Sequence, residues 1–375
     1  MKVLTVIGTR PEIIRLSRVM ARLDDCFEHV IVHTGQNYDF ELNEVFFKQL
    51  KIRKPNYFLE SAGGSASHTI ARCIEGLDGV LSHENPDAVM ILGDTNSCLS
   101  VIAAKKRHIP IFHMEAGNRC FDLRVPEEVN RRIIDHMSDV NLVYTEHARR
   151  NLLAEGLPAD QIYLTGSPMA EIFHHYSSEI HDSKVLSELG LSRDNYLVAS
   201  FHREENVDDP NRLRLIVDHL NEVAVKLDKT IVLSTHPRTK KRLDALQLKF
   251  HPQVEVVKPF GFFDYVHLQQ HSYCVISDSG TITEEAAIGD FPAVTARDAH
   301  ERPEGMDHGV LIMADLKSAR LLDSIRIARK HFEQREIRNI PLSYQDIDVS
   351  WRVAKIVQSY TSYINRKVWH KTPAE

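Results

Sequence analysis

Short apolar runs rich in β-branched residues recur along this chain, each followed by a polar turn and a helix-like stretch. "KVLTVI", "HVIVHT", "AVMILGD", "IPIFHME" and "VNLVYT" come first; "YLVASFH", "TIVLSTH", "VEVVKP", "YCVISDSG" and "PAVTAR" follow after residue 190. A strand apolar on both sides must be covered on both faces, as helices do in a parallel α/β sheet. The rhythm stops and restarts, and 375 residues exceed one ordinary core. Two α/β domains in series are therefore expected. No strand signal occurs between Ser167 and Asn195, which puts the domains at 1–170 and 171–355. The tail "DVSWRVAKIVQSYTSYINRKVW" is expected to be a long helix with Trp351, Ile356, Val357, Tyr360 and Ile364 along one side. Residues 356–375 are expected to pack back on the first domain.

Several function classes fall away on composition. Lys and Arg are scattered, and a formal net charge of −6 gives no basic footprint for nucleic acid. No stretch reaches the roughly 18 apolar residues of a membrane span. The opening "MKVLTVIGTRPEII" has too short an apolar run for a signal peptide, and no small-residue cleavage site follows. Cys26, Cys73, Cys98, Cys120 and Cys274 are odd in number and lack metal-ligand spacing. Reduced thiols in a cytoplasmic enzyme are the expectation.

Ligands of open parallel sheets bind beyond the carboxyl ends of the strands. Here those ends are polar: Gly8-Thr9-Arg10, Gly93-Asp94-Thr95, His113-Met114-Glu115, His202-Arg203-Glu204, His236-Pro237-Arg238 and Asp278-Ser279-Gly280-Thr281. In "ISDSGTITEEAAIGD" a turn runs into a helix start, whose unpaired N–H groups welcome a phosphate. Thr281 and Glu284 also stand at capping-box spacing, which needs no ligand. That leaves Ser279 and Glu285 to explain, and a carboxylate one turn into such a helix suits the two hydroxyls of a ribose. In "IGTRPEIIR", Gly8 suits a tight bend, Pro11 the first helical turn, and Arg10 an anion clamp over the helix end; a surface arginine paired with Glu12 is the plainer alternative. No G-x-G, Walker A or H-E-x-x-H pattern occurs. Asp346-Ile347-Asp348 is the sole D-x-D and fits a helix start. Of the 21 histidines only His202 and His236 stand at strand ends beside arginines.

"MEAGNRCFDLRVPEEVNRR", residues 114 to 132, concentrates acids and arginines. Glu127–Arg131 and Glu128–Arg132 are i,i+4 pairs worth a few tenths of a kcal/mol, and for Glu128 that structural reading is as good as any. Glu115 differs, because it follows a buried strand and precedes Ala-Gly; Asp94 occupies a like place one strand away. Asp94, Glu115 and Glu127 together would make a cluster of acids suited to proton transfer at a sugar held by its nucleotide.

With these residues in view, the chain resembles the non-hydrolysing UDP-N-acetylglucosamine 2-epimerases nearly end to end. "GTRPEIIR", "GDTNS", "HMEAGNR", "PEEVNR", "FHREEN", "DSGTITEE" and "ERPEG" stand in that family's order and spacing. The resemblance implies the glycosyltransferase-B type of fold, two Rossmann-like domains with the active site in the cleft between them. It implies that Arg10, His202, Ser279 and Gly280, with Thr281 in the same turn and Arg302 near by, hold the diphosphate of a UDP-amino sugar. It further implies that Glu285 binds the ribose, that Asp94, Glu115 and Glu127 are the catalytic acids with His202 at the leaving phosphate, and that His236 and Arg15 occupy active-site positions. No cofactor or metal is implied, and a homodimer is. Loss of UDP by anti elimination gives a glycal, and re-addition after protonation from the opposite face inverts C2.

Several segments depart from the common pattern. The loop between "EAG" and "PEE" is shorter, Glu204 replaces an arginine, Arg15 replaces a lysine, and Gly35-Gln36-Asn37-Tyr38 lacks the Gln-His pair of the family's activator site. "GQNYD", "MEAGNRCFD" and "FHREENVD" resemble a branch that converts UDP-2-acetamido-2,6-dideoxy-L-talose to UDP-N-acetyl-L-fucosamine for capsule or O-antigen. Interconversion of UDP-N-acetylglucosamine and UDP-N-acetylmannosamine is the alternative substrate reading. A UDP-sugar glycosyltransferase, a hydrolysing epimerase and a non-catalytic nucleotide-sugar sensor are the rivals of other kinds.

Overall fold

The computed structural model describes residues 1–36, 40–316 and 320–371, with 40–43 by backbone alone. Its chain forms two compact units, Met1–His174 with Gln345–Glu375, and His175–Tyr344. The first sheet contains β1 (Lys2–Ile7), β2 (Glu28–His33), β3 (Tyr57–Phe58), β4 (Ala88–Leu92), β5 (Ile111–Met114), β6 (Val140–Val143) and β7 (Ile162–Leu164), ordered β3-β2-β1-β4-β5-β6-β7. The second contains β8 (Tyr196–Ser200), β9 (Thr230–Ser234), β10 (Val254–Val257), β11 (Val275–Ser277), β12 (Ala293–Thr295) and β13 (Ile312–Met313), ordered β10-β9-β8-β11-β12-β13. Every ladder is parallel. Both units are Rossmann-like, the pair of domains from which the glycosyltransferase-B type is built.

Alternation along each strand explains the continuous apolar runs. In the second sheet Leu197, Ala199, Ile231 and Leu233 pack against Ile216, Leu220, Val223 and Ala224. Their neighbours Tyr196, Val198 and Val232 pack on the other face, against Leu268, Ile282 and Ala286. Successive side chains thus enter two cores, so the middle positions of these strands are apolar, and Ser200, Thr230 and Ser234 stand at strand ends.

The divisions at His175 and Gln345 differ from those expected at 171 and 356. Bonds inside the first unit account for the earlier return. The Arg352 guanidinium donates to the Thr165 carbonyl at 2.8 Å and pairs with Asp346 at 3.0 Å. Ser350 donates its backbone N–H to Glu171 at 2.7 Å, and the Asp346 carboxylate fills the space left open by Gly166. The Val349–Lys367 helix buries Val349, Val353, Val357, Thr361 and Ile364. Of the expected stripe, Val357 and Ile364 are buried and Ile356 and Tyr360 half-buried, whereas Trp351 is exposed, with the Arg22 guanidinium 3.8 Å from its ring centroid. Among the described residues no helix is long and apolar enough to cross a membrane.

Candidate active site

Strand order reverses between β1 and β4 in the first sheet and between β8 and β11 in the second. The turns after these strands flank a crevice built by topology alone, where ligands of such sheets bind. In each unit a buried carboxylate ties the two turns together.

In the first unit this is Glu12. Its Oε2 accepts the backbone N–H of Gly8 at 2.5 Å and of Thr9 at 2.9 Å, and its Oε1 accepts the Thr95 hydroxyl at 2.5 Å. Glu12 is therefore not a surface partner for Arg10. Burial, and secondarily the neighbouring Asp94 charge, push its pKa up to about 7 despite those donors. Gly8 is required for close approach rather than for an unusual dihedral, since a Cβ there would lie 2.0 Å from the Ser97 hydroxyl. Arg10 opens the Arg10–Cys26 helix, half-buried, with its guanidinium 5.7 Å from the Phe46 ring centroid.

The three expected acids lie at the same sheet end. Leu92 and Met114 are partners in the β4–β5 ladder, and the Gly93 N–H continues it to the Met114 carbonyl at 3.0 Å. Asp94 and Glu115 follow directly. Arg131 holds Asp94 with Nη2 at 2.5 Å and Nε at 3.1 Å. Glu115 has a left-handed φ of 65° and pairs with Arg15, a side chain only 2% exposed. Glu127 stands half-buried in the first turn of the Pro126–Met137 helix, whose Asn130 donates to the Asp94 carbonyl at 2.9 Å. Glu128 is wholly buried and accepts from Cys120 N–H at 2.9 Å, Arg131 at 3.2 Å and Arg132 at 3.1 Å. The expected Glu128–Arg132 pair is present, but as one strand of a network that shares Arg131 between Glu128 and Asp94.

In the second unit the tie is Asp278, which is fully buried. It accepts the N–H groups of His202 and Arg203, each at 3.0 Å, and the Asn206 amide at 3.0 Å, and lies 3.1 Å from His202 Nδ1. Burial alone would push the Asp278 pKa up, but the neighbouring His202 ring, the Asn206 amide and the Arg203 N–H outweigh it and hold it below the usual range. Beside it the Ser279 and Thr281 hydroxyls meet at 2.9 Å, Thr281 donates to Glu285, and Gln269 donates to Glu285 at 2.7 Å. The expected Thr281–Glu284 capping box is not formed. Glu284 is buried and turned to Arg302 at 3.4 Å, because that guanidinium is itself buried and needs an anion. His236 caps the Pro237–Ala245 helix, its Nδ1 accepting the Arg238 N–H at 3.3 Å.

Four residues were given no role from sequence: Glu12, Asp278, and Arg203 and Arg297 over Gly280. A Cβ on Gly280 would lie 3.3 Å from Arg203 and 3.7 Å from Arg297, and Glu301 braces Arg297 at 2.7 and 2.9 Å. Strand-end position was the available signal, since Asp278 follows β11 and Arg297 lies just past β12. Asn37, Tyr38 and Asp39 of the "GQNYD" segment lie outside the described residues; Gln36 accepts from Ser97 N–H at 2.9 Å.

The family model described as UDP-N-acetylglucosamine 2-epimerase matches residues 21–358. A solved UDP-N-acetylglucosamine 2-epimerase from Rickettsia bellii is 48% identical, with a TM-score of 0.92, over 99% of this chain and 100% of that one. The Methanocaldococcus jannaschii enzyme, solved in complex with UDP-GlcNAc and UDP, is 32% identical with a TM-score of 0.89, over 96% of this chain and 100% of its own. The UDP-2,3-diacetamido-2,3-dideoxy-D-glucuronate 2-epimerase of Pseudomonas aeruginosa is 38% identical over 87% of this chain and 92% of that protein. An acid cluster at one switch point and a hydroxyl- and arginine-lined helix start at another are the equipment of an enzyme acting on nucleotide sugars. The chain belongs to the UDP-N-acetylglucosamine 2-epimerase family. It is an isomerase, a non-hydrolysing UDP-sugar 2-epimerase.

Proposed function

We propose that this epimerase inverts C2 of UDP-2-acetamido-2,6-dideoxy-L-talose to give UDP-N-acetyl-L-fucosamine. Support for the 6-deoxy sugar comes from "GQNYD", "MEAGNRCFD" and "FHREENVD", and from Glu204 in place of an arginine. Glu204 pairs with Arg238 at 2.9 Å, so the reversed charge is also matched by a local cation. The names of several relatives, Rickettsia bellii among them, favour UDP-N-acetylglucosamine as the second reading. On the first reading the protein is a cytoplasmic homodimer whose product enters capsule or O-antigen synthesis, as the resembling branch does.

The observation that carries the mechanism is the anchoring of Asp94 and Glu115 by arginines at one sheet end. Arginine neighbours hold a carboxylate in place through charge-assisted hydrogen bonds. A C2 proton is not adjacent to a carbonyl, so cleavage of C1–O must accompany its removal. In this reading a carboxylate among Asp94, Glu115 and Glu127 takes the proton. The C2–H electron pair forms the C1–C2 double bond, and UDP departs with the C1–O pair. Return of a proton to the opposite face of C2, and attack of the UDP oxygen on C1, complete the inversion. Arg10, Arg15, His202, His236, Ser279, Gly280, Thr281, Glu285 and Arg302 are assigned to nucleotide and sugar: hydroxyls and cations to the diphosphate, Glu285 to the ribose, and His202 to the leaving oxygen.

The substrate is tested by incubation in deuterated water with UDP-N-acetyl-L-fucosamine and, separately, UDP-N-acetylglucosamine. Deuterium at C2 of the fucosamine nucleotide alone is expected. Exchange in the glucosamine nucleotide alone would transfer the assignment to the second reading.

A further inference from the structure

Asp278 is the last residue before the Ser279-Gly280-Thr281 turn, yet its carboxylate faces away from that turn and into the one after β8. It is 0% exposed and accepts from His202 N–H, Arg203 N–H and the Asn206 amide. Two of these donors are backbone groups of His202 and Arg203, in the turn after β8. A carboxylate with so many donors is an anchor for the loop. The geometry at His202 argues for more. The imidazole Nδ1 lies 3.1 Å from Asp278 Oδ1, while the side chain as a whole is 42% exposed.

An ionised carboxylate can only accept, so a proton on the ring nitrogen 3.1 Å from it is favoured over a lone pair there. The other ring nitrogen, Nε2, then stands at the far edge of a part-exposed ring. We infer that Asp278 is a positioning residue that fixes the neutral His202 tautomer with its proton on Nδ1 and keeps Nε2 directed away from the protein, for the diphosphate oxygen that leaves C1. When Nε2 takes up a proton from solvent the ring becomes an imidazolium, with Nδ1–H still beside the same carboxylate. His202 then donates this proton through Nε2 to the oxygen as C1–O breaks, and takes it back at Nε2 when that oxygen re-adds to C1. The fixed tautomer is a property of the pair; its use at the diphosphate rests on the function proposed above.

The test reads the ring directly. The enzyme is labelled with 15N-histidine, and the His202 ring signals are identified by their loss in His202→Ala. In the wild type Nδ1 should carry the proton of the neutral ring and Nε2 should have the shift of an unprotonated nitrogen. The reverse pattern would overturn the inference without any Asp278 variant. In Asp278→Asn the amide can face Nδ1 with its N–H, so the Nε2–H tautomer should rise, and kcat should fall by about 100-fold with KM changed far less. An unchanged ring spectrum in that variant would also overturn it. Asn206→Ala removes one donor but keeps the carboxylate, and should leave the tautomer as in the wild type; a shift as large as that of Asp278→Asn would assign the effect to loop anchoring instead. Should His202→Ala turn over normally, the role at the diphosphate fails, while the ring spectrum still decides the pairing.

Discussion

Replacing Glu115 or Glu127 by Gln keeps the side chain's size and removes its charge. Each change should abolish deuterium uptake at C2, with a loss of about 100-fold or more, while UDP affinity by calorimetry stays nearly unchanged. Full exchange in both variants would refute their assignment. The two should differ in stability. Arg15 is 2% exposed beside Glu115, and a hydrogen bond to a charged group is worth roughly 1.5–3 kcal/mol, part of which is lost when the carboxylate becomes an amide. Glu115→Gln should therefore melt well below Glu127→Gln. Arg10→Ala should instead weaken UDP binding by about 10-fold, and unaltered affinity would count against the anion clamp. At this scale the strand-end rule made Asp94, Glu115 and His202 legible, because position after a buried strand is written in the sequence. Their partners were not legible. Arg15 and Glu115 are 100 residues apart, and Glu284 stands at capping-box spacing but is drawn to a buried Arg302 by the cost of leaving that charge alone.

Turns and helix starts carry their own consequences. Gly117 has φ +78°, and a Cβ there would lie 2.4 Å from the Ala148 carbonyl oxygen. Backbone strain alone costs about 1–3 kcal/mol, and the clash is with backbone that cannot swing aside. Gly117→Ala should lower the denaturation midpoint clearly, and an unmoved midpoint would contradict the packing of the turn that holds Glu115. Glu12 makes the start of the Arg10–Cys26 helix sensitive to pH. Its pKa rises from 4.5 to about 7 in the folded chain, so the native state binds the extra proton in that window. The resulting stability is present in full below the unfolded value and is lost as pH rises through about 7, by roughly 3 kcal/mol at most. The stability of the wild type relative to Glu12→Gln should therefore fall between pH 5 and pH 8 in denaturant titrations; a constant gap would contradict the buried acid. Central strands were plain in the sequence as continuous apolar runs. The short edge strands β3, β7 and β13 were not, because a strand covered by fewer neighbours needs no such run.

For the whole molecule, the restart of the strand rhythm after residue 190 announced two domains, since each core demands its own set of doubly covered strands. The point of return to the first unit was hidden. It is set by bonds such as Ser350 to Glu171, 179 residues apart, and Arg352 to Thr165, 187 apart. A chain ending at Tyr344 loses the Val349–Lys367 helix and its buried Val353, Val357 and Ile364. Hydrogen exchange should then show protection falling in β1 to β7 and persisting in β8 to β13; equal protection in both would contradict the division of the chain.

Elimination and re-addition of UDP is the central claim, and it is tested most directly with a substrate carrying 18O in the bridge between C1 and the β-phosphorus. The enzyme is incubated with this nucleotide sugar in deuterated water and followed by 31P and proton NMR. Migration of the label into the non-bridging β-phosphate positions, together with deuterium uptake at C2, is the expected result. Deuterium uptake with the label held fully in the bridge, and with no UDP or glycal found in the quenched enzyme, would contradict the mechanism.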